Sequence, residues 1–549
     1  MNLIDILIVL FFLIGMFAIG AIFYRWVGSS DDFYLAGRHL TPFILAAVIA
    51  ATNINMYSFI GQSGIAYKEG ISIVWQTWTG NMALVFSGLF VVPIFRRLKI
   101  RTIPEFLQAR YSKGVRTFLA IIWLFRLTFW LGIVLYTVIV AAQTMVGQNS
   151  FALWAIMISS IVIIYTMLGG MWSVTFTDVL QFELMLLGSL IMMPLAMHAV
   201  GWYSSLKASL PPESLTLVKS TGTYNWKFII AIFLLGIEWA TIDQGLLQRA
   251  FSAKNTKSVA RGLVLAGIIT TPFAMLWILP GLAARPLFPH LANPDSAVPT
   301  LIEHLIPHGI LGLIVVGLLS SQLSTISGNL NSVATIFTSD IYTNVLKKKS
   351  TEKQTIMIAR IATALAGVAM ILFAYWVPRL GGAVNAYLTV IAIMDMPLFV
   401  ITVVYGLLWK KVLWQAAILG YILGATSGVI AQFVYHIDFN ATTFVSAAVT
   451  LITTPIAAVL FYHGNDNPKV SAIWEAKRIS QEEIDSGDVY NIVPKSFGGR
   501  VAMAFLFTGL ATFFVGTLMG RTNSGIASYI AVIGMVIYFI SGLVRTYFN

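Results

Sequence analysis

Apolar residues occur along this chain in blocks of about twenty, separated by shorter polar stretches. An α-helix of about twenty residues crosses the hydrocarbon of a bilayer and makes its backbone hydrogen bonds internally. The pattern therefore predicts an all-α, polytopic membrane protein with about fifteen transmembrane helices. Their predicted centres lie near residues 13, 53, 84, 130, 160, 188, 235, 270, 325, 366, 396, 424, 451, 510 and 536.

Composition agrees with a membrane protein. Of 549 residues, 58% are hydrophobic and only 10% are charged, which is too apolar for a soluble protein of this length. The first apolar block, 3–25, lacks the basic start and the small-residue cleavage site of a signal peptide, so it is interpreted as an extra N-terminal helix. The chain has no cysteine, which excludes disulfides and thiolate–metal sites.

The formal net charge of +12 reports membrane topology and not a nucleic-acid partner. When loops are assigned alternately to two sides, one set holds nearly all the Lys and Arg, including Arg96, Arg110, Lys254 and the run 347–349. The positive-inside rule places this set in the cytoplasm, with the N-terminus outside and the C-terminus inside a plasma or inner membrane. The longest polar stretch, 464–500, is then a cytoplasmic connector. Oligomeric state is left open.

Two predicted helices carry polar residues at mid-depth. The second contains Asn53, Asn55 and Ser58, and the ninth contains a run of Ser, Thr and Asn between Ser320 and Ser332. Such residues also pack helix against helix in membranes. Two such segments favour helices broken around a solute or ion, because unwound carbonyls need polar neighbours.

Several motifs follow one another in the order of a known family. The chain resembles the sodium/solute symporter family, which includes the sodium/glucose cotransporters, from about residue 30 to about residue 412. The motifs are Asp31-Asp32-Phe33-Tyr34-Leu35-Ala36-Gly37-Arg38, Phe59-Ile60-Gly61-Gln62-Ser63-Gly64, Thr102-Ile103-Pro104-Glu105-Phe106-Leu107, Gly169-Gly170-Met171-Trp172-Ser173-Val174-Thr175-Phe176-Thr177-Asp178, Gln248-Arg249 and Leu330-Asn331-Ser332-Val333-Ala334-Thr335-Ile336-Phe337-Thr338-Ser339-Asp340-Ile341-Tyr342. The resemblance implies a leucine-transporter-type fold in one membrane domain, with inverted repeats at 40–200 and 225–412 and accessory helices at 413–549.

The resemblance also implies sodium as the coupling ion. Carried onto matching positions, its ligands are the carbonyls of Ala51, Ile54 and Ser321 and the hydroxyls of Ser324 and Thr325. Neutral oxygens of this kind suit a hard cation, and a helix break supplies them.

Some relatives hold a second sodium ion nearer the cytoplasm. The matching residues are Asp178 and Ser327, but Gly328 lacks the next hydroxyl. An alternative is that Asp178 only caps a helix. A membrane carboxylate is costly unless it is paired, which favours a role in cation exit.

The expected solute-binding residues are mostly small. They are Asn53, Ser58, Thr77, Gly80, Gly236 and Thr270, with Trp239 as an aromatic gate and Trp130 as an apolar wall. The small side chains lack the long hydrogen-bonding groups of sugar-binding relatives, which weakens a hexose-type site.

Four charges lie within apolar segments: Arg126, Glu238, Asp243 and Asp395. Intramembrane charges indicate function. Arg126 matches the position of an arginine in a carboxylate-binding relative, whereas three acids among aromatics suit a cationic amine. Both interpretations stay open at this point.

The sequence thus predicts a sodium-coupled secondary symporter that imports a small polar solute by alternating access, and not an enzyme. A sugar or polyol is the leading class, a carboxylate or amine is the alternative, and a sensor or channel is disfavoured. His304 and His308 beside Glu303 resemble metal ligands, but Pro307 interrupts their spacing.

Overall fold

The computed structural model describes residues 3–23, 29–146, 150–307, 309–346, 350–380, 383–462, 469–486 and 488–548. Across these ranges the regular structure is helical, with two isolated β-bridges, which confirms the predicted all-α class. The lysine run 347–349, His308, the end of the first predicted helix at 24–25 and parts of the connector at 464–468 and 487 lie outside the described residues.

Sixteen apolar helices or half-helices of the described ranges are numbered here in chain order. They are α1 (Leu3–Phe23), α2 (Pro42–Asn53), α3 (Tyr57–Glu69), α4 (Ile71–Arg97), α5 (Lys113–Val146), α6 (Phe151–Ala199), α7 (Trp226–Ile242), α8 (Gln244–Phe251), α9 (Thr256–Leu287), α10 (Ile310–Leu346), α11 (Glu352–Ala374), α12 (Ala386–Leu408), α13 (Trp414–Val434), α14 (Phe439–Phe461), α15 (Phe497–Met519) and α16 (Ser524–Tyr547). Short helices lie between them at Ser30–Leu35, Ile103–Arg110, Trp202–Ser209, Ala297–Leu305, Lys469–Glu475 and Gln481–Ser486.

These helices coincide with all fifteen predicted segments. Within the described residues, eleven are long and apolar enough to cross a membrane, and the pairs α2–α3 and α7–α8 form two further spans bent by 52° and 46°. The remaining two segments are the shorter apolar stretches Leu3–Gly15 and Phe151–Ile164.

The two predicted segments near residues 160 and 188 both belong to α6, which is helical over 49 residues. Ile158 in the first half lines one cavity with Leu318 of α10, and Gly188 in the second half lines another with the same residue. In a straight helix, thirty residues would separate them by about 45 Å. Helix α6 is therefore not straight between the two halves.

The polar ninth segment, α10, is not broken at mid-depth. Its hydroxyls bond back to carbonyls of the same helix, for example Ser332 to Gly328 (2.9 Å) and Thr335 to Asn331 (2.8 Å). Hydroxyls used in this way do not compete with the backbone ladder strongly enough to open it. The second broken helix is instead α7–α8, in the seventh segment.

Helix α10 is central to the packing of the bundle. It lies against α1, α2, α5 and α6, while α4 packs on α7 and α9. The broken helices α2–α3 and α7–α8 each begin one of the predicted repeats, and the repeat boundaries stay a prediction.

The two ends of the bundle differ in chemistry. Asp5 of α1 is buried and accepts hydrogen bonds from the N–H groups of Gly309 (2.7 Å) and Gly312 (2.9 Å) at the start of α10. This caps α10 and puts the N-terminus at the same end as the loop after α9. At the other end, Arg97 pairs with Glu483 of the connector (2.9 Å).

Candidate functional site: a broken helix, a cation niche and a polar–aromatic cavity

The break between α2 and α3 is stabilised by side-chain amides. Ile54 is extended (φ −95°, ψ 107°) and ends α2. The Tyr57 N–H then donates to Asn55 Oδ1 (3.0 Å), and the Met56 N–H donates to Gln322 Oε1 of α10 (3.0 Å). Because these amides supply acceptors outside the helix ladder, the chain can leave the helix without burying unpaired N–H groups.

Helix α10 meets this break through its hydroxyls. Thr325 Oγ1 donates to the Thr52 carbonyl (3.2 Å). Ser324 Oγ is buried and lies beside the Asp178 carboxylate of α6. The five predicted sodium ligands flank this contact: Ala51 and Ile54 on the α2 side, and Ser321, Ser324 and Thr325 on α10. The side chain of Ser321 lies outside the described part.

Carbonyl and hydroxyl oxygens at this niche fit a sodium ion. They are neutral, hard ligands of the kind that such a cation prefers. The assignment of these residues as sodium ligands stays a prediction.

Asp178 of α6, predicted to hold a second sodium ion, is fully buried and paired with Arg249 of α8. Arg249 Nη2 lies 2.9 Å from Asp178 Oδ2 and donates to the Ser324 carbonyl at 3.2 Å. Gly328 makes room for this pair, since a Cβ there would overlap the guanidinium. The Ser327 hydroxyl donates to the Ser324 carbonyl (3.1 Å). A fixed cation thus lies where a second sodium would need its carboxylate.

A cavity of about 140 Å³ opens beside the break, between α2–α3, α4, α5, α7 and α12. Seven of the eight predicted solute residues line it: Asn53, Ser58, Thr77, Gly80, Trp130, Gly236 and Trp239. Thr270 does not line it. Its hydroxyl donates instead to Asn81 Oδ1 (3.0 Å), so Thr270 orients Asn81, which does line the cavity.

The two glycines have different roles. A Cβ at Gly80 would meet nothing within 4 Å, so a side chain there would project into open space. A Cβ at Gly236 would lie 3.2 Å from the Gly80 Cα, so Gly236 allows α7 to approach α4 closely. Gly80 therefore sets the size of the cavity.

Two long amides on the wall were missed by sequence reasoning. Gln62 Nε2 donates to Gln76 Oε1 (3.2 Å), Gln76 Nε2 donates to Tyr57 OH (2.9 Å), and the Thr77 hydroxyl donates to Gln62 Oε1 (3.0 Å). Their signal was present, since amides within apolar segments are unusual. The network gives the cavity hydrogen-bonding groups of the length that the small residues lack.

Aromatic rings form another part of the wall. Three rings contact one another. The centroid of Tyr57 lies 6.2 Å from that of Trp130 and 5.4 Å from that of Tyr387, and the centroids of Trp130 and Tyr387 are 4.7 Å apart. Trp239 also lines the cavity. Sequence reasoning missed Tyr387 because tyrosine is common in membrane helices and nothing in its neighbours distinguishes it.

The four membrane charges form one cluster. Arg126 donates to Asp395 through Nε (2.8 Å) and to Asp243 through Nη1 (2.5 Å). Asp243 also caps α8 by accepting from the Leu246 N–H (2.9 Å). Glu238 is buried beside them, and its Oε2 has no hydrogen-bond partner within the described ranges. Only Arg126 and Asp243 reach the cavity wall.

Comparison with known proteins matches this chain to transporters over most of its length. The profile described as "Sodium:solute symporter family" matches residues 33–424. The sodium/glucose cotransporter of Vibrio parahaemolyticus is 26% identical over 87% of this chain and 92% of its own length. Sodium/glucose cotransporter 1 of Oryctolagus cuniculus is 26% identical over 79% of this chain and 73% of its own.

A solved structure has the same fold. A Na⁺-coupled sialic acid symporter in a substrate-bound, outward-open state superposes with a TM-score of 0.77, at 22% identity, over 85% of this chain and 99% of that one. At this identity the likeness concerns the fold, and it agrees with the leucine-transporter-type architecture predicted above.

Proposed function

The chain belongs to the sodium:solute symporter family, and we propose that it imports a sugar or a polyol together with sodium by alternating access. Members of that family are secondary transporters and not enzymes, and sodium is their coupling ion. The chain is accordingly a multi-span membrane protein. The class of solute and the residues that bind solute and sodium are our proposal.

The observation that best supports a hydroxyl-rich solute is that amides and aromatic rings line the same cavity. Gln62, Gln76 and Asn81 supply long donors and acceptors, and buried hydroxyls of a solute need such partners. The faces of Tyr387 and Trp130 suit the C–H surface of a sugar or polyol. A cavity lined by few polar groups would not favour a sugar or a polyol.

A carboxylate solute is disfavoured because Arg126 is already paired with two acidic side chains. Both Asp243 and Asp395 already accept hydrogen bonds from its guanidinium, so an anion would have to displace an acid from a buried pair. A cationic amine is the second candidate. Three acids against one arginine, next to aromatic rings, favour a positive solute.

Sodium binds, in this proposal, between the break at Ile54 and the hydroxyls of Ser324 and Thr325. The Thr325 hydroxyl lines the solute cavity as well, so ion and solute sites adjoin. Arg249 acts as a permanent counter-charge for Asp178, and one sodium ion is therefore coupled to each solute.

The proposed orientation follows the positive-inside rule. The end of the bundle that carries Arg97 and Arg110 is cytoplasmic, and the end that carries Asp5 is outside. Solute then enters from the Asp5 end, and closure of one repeat against the other exposes it to the cytoplasm.

The test is thermal stabilisation of the purified protein by a panel of sugars, polyols, carboxylates and amines, each with and without sodium. A sugar or polyol should stabilise only in the presence of sodium, because the two sites adjoin and their binding is linked. Gly80→Leu is the matched variant, since its side chain fills the cavity. It should lose the solute response and keep stabilisation by sodium. A response to carboxylates alone would overturn the proposed class.

A further inference from the structure

A second cavity lies away from the solute site, at the C-terminal ends of α4 and α12. Its volume is about 670 Å³, and the connector residues 477–479 and 490–495 close its remaining side. Arg97 and Leu408 are the last residues of two membrane spans. The cavity therefore lies at the boundary between the hydrocarbon and the water on the face proposed to be cytoplasmic.

One wall of this cavity is apolar. It is formed by Phe86, Phe90, Val403, Leu407 and Leu408. Leu408 is 73% exposed and Val493, on the connector, is 75% exposed. Large apolar side chains exposed at the end of a membrane span face lipid chains and not water.

The rim of the same cavity is basic. Arg97, Lys477, Arg478 and Lys495 line it, and no Asp or Glu does so within the described residues. Glu483 neutralises Arg97 through a buried ion pair. Arg478 and Lys495 remain as exposed cations of the rim, and the half-buried Lys477 lies beside them with its Nζ donating to the Leu407 carbonyl.

Neighbouring cations add to this positive field. Lys477, Lys410 and Arg110 lie around the Trp474 ring at 4.2, 5.2 and 5.9 Å from its centre. Partial burial, together with the charges of Lys410 and Arg110, lowers the pKa of Lys477. A bound anion would relieve this repulsion.

We propose that this cavity binds an anionic phospholipid, with an acyl chain against the apolar wall and the phosphate at Lys477, Arg478 and Lys495. Basic pockets at the cytoplasmic ends of membrane helices recognise anionic headgroups, and long cationic side chains reach to that depth. A free phosphate would use the rim alone and leave the apolar wall exposed.

The bound lipid joins two helices that also form the solute site. Gln76 and Gly80 belong to α4, and Tyr387 belongs to α12; all three line the solute cavity. Each helix also has a π-helical turn at the cavity, Ser87–Val91 and Val400–Val404, where helices deform easily. Lipid bound between these helix ends stabilises the folded transporter by linkage.

The experiment measures thermal stability of the detergent-purified full chain against short-chain phosphatidylglycerol, phosphatidylcholine of the same chain length, and inorganic phosphate. Phosphatidylglycerol should stabilise the protein, and the other two should not. Each Lys or Arg beside an anionic headgroup contributes about 1 kcal/mol, or about fivefold in affinity. The Arg478→Gln/Lys495→Gln variant should therefore need about 25-fold more phosphatidylglycerol for half of the effect.

The matched control is Lys113→Gln/Lys353→Gln, which removes two exposed charges from the same face outside the cavity. It should behave as the unaltered protein does. Equal losses in both variants would mean general attraction to anionic surfaces and would overturn the site. Stabilisation by inorganic phosphate to the same extent, or by phosphatidylcholine, would also overturn it.

Discussion

The hydroxyl of Ser324 is the single group on which the sodium site depends most. It is buried beside the helix break, and Thr325, which donates to the Thr52 carbonyl across that break, lies next to it. Ser324→Ala or Thr325→Ala should raise the sodium concentration for half-maximal uptake by about tenfold or more, because an oxygen ligand to a charge is lost.

Ser332→Ala is the control in the same helix. Its hydroxyl already bonds to the Gly328 carbonyl, so sodium dependence should not change. Unchanged sodium dependence in both the Ser324 and the Thr325 variant would exclude this ligand set.

Asp295, in the loop after α9, is expected to make stability depend on pH. Its carboxyl is packed so closely on α3 that a Cβ at Gly64 would lie 2.6 Å from Oδ1. Burial raises its pKa from 3.8 to about 6. The protonated form therefore stabilises the fold below pH 3.8, and this contribution is lost as pH rises through about 6.

Asp295→Asn should consequently melt at a higher temperature than the unaltered protein above pH 6. The two should converge as pH falls below 4. A difference in melting temperature that is the same at every pH would contradict a partly buried, titrating Asp295.

The positions of single functional residues were predictable where a charged side chain occurs in an otherwise apolar segment. Arg126 and Asp243 stand out in apolar sequence, and both reach the cavity. Their pairing was not predictable, because Arg126 lies 117 residues from Asp243 and 269 residues from Asp395. The contacts of Gln76 with Gln62 and Tyr57 depend on how α4 packs against α3, which the sequence pattern does not encode.

Three elements meet at the Arg126 cluster: α5, the α7–α8 junction and α12. Arg126→Met removes the cation and leaves Asp243 and Asp395 buried without it, which should cost about 3–5 kcal/mol. The double variant Arg126→Met/Asp395→Asn removes one acid as well and should recover part of that loss. Melting temperature in detergent measures both.

A double variant less stable than Arg126→Met would contradict this description of the cluster. So would an Arg126→Met protein that melts like the unaltered one. Either result would mean that the three elements do not depend on the pairing.

Breaks in helices were only partly predictable. The break of α2 was indicated by Asn53 and Asn55, whose amides offer the backbone other partners. The break of α7–α8 comes at Asp243, a single acid after an apolar helix, and gave no comparable pattern. In α10 the polar run suggested a break that is absent, since the hydroxyls of Ser327, Ser332 and Thr335 bond to carbonyls of the same helix.

For the whole transporter, the Asp178–Arg249 pair predicts the coupling ratio. With a guanidinium permanently paired to Asp178, uptake should rise hyperbolically with sodium concentration. A sigmoidal rise would mean that a second sodium ion is bound and that Arg249 does not replace it. Initial uptake rates at saturating solute measure this directly.

Overall architecture was the most predictable property, because block length and loop charge are strong constraints on a membrane chain. The fifteen predicted segments all correspond to helices. The packing of the connector was not predictable: Arg97 meets Glu483 across 386 residues of sequence. Which end of the bundle faces the cytoplasm stays a prediction.

The most direct test is uptake of the stabilising sugar or polyol by vesicles that contain the purified protein. An inward sodium gradient should drive saturable accumulation, and replacement of sodium by potassium should abolish it. Accumulation that persists in potassium, or that a proton gradient drives equally well without sodium, would contradict sodium-coupled import.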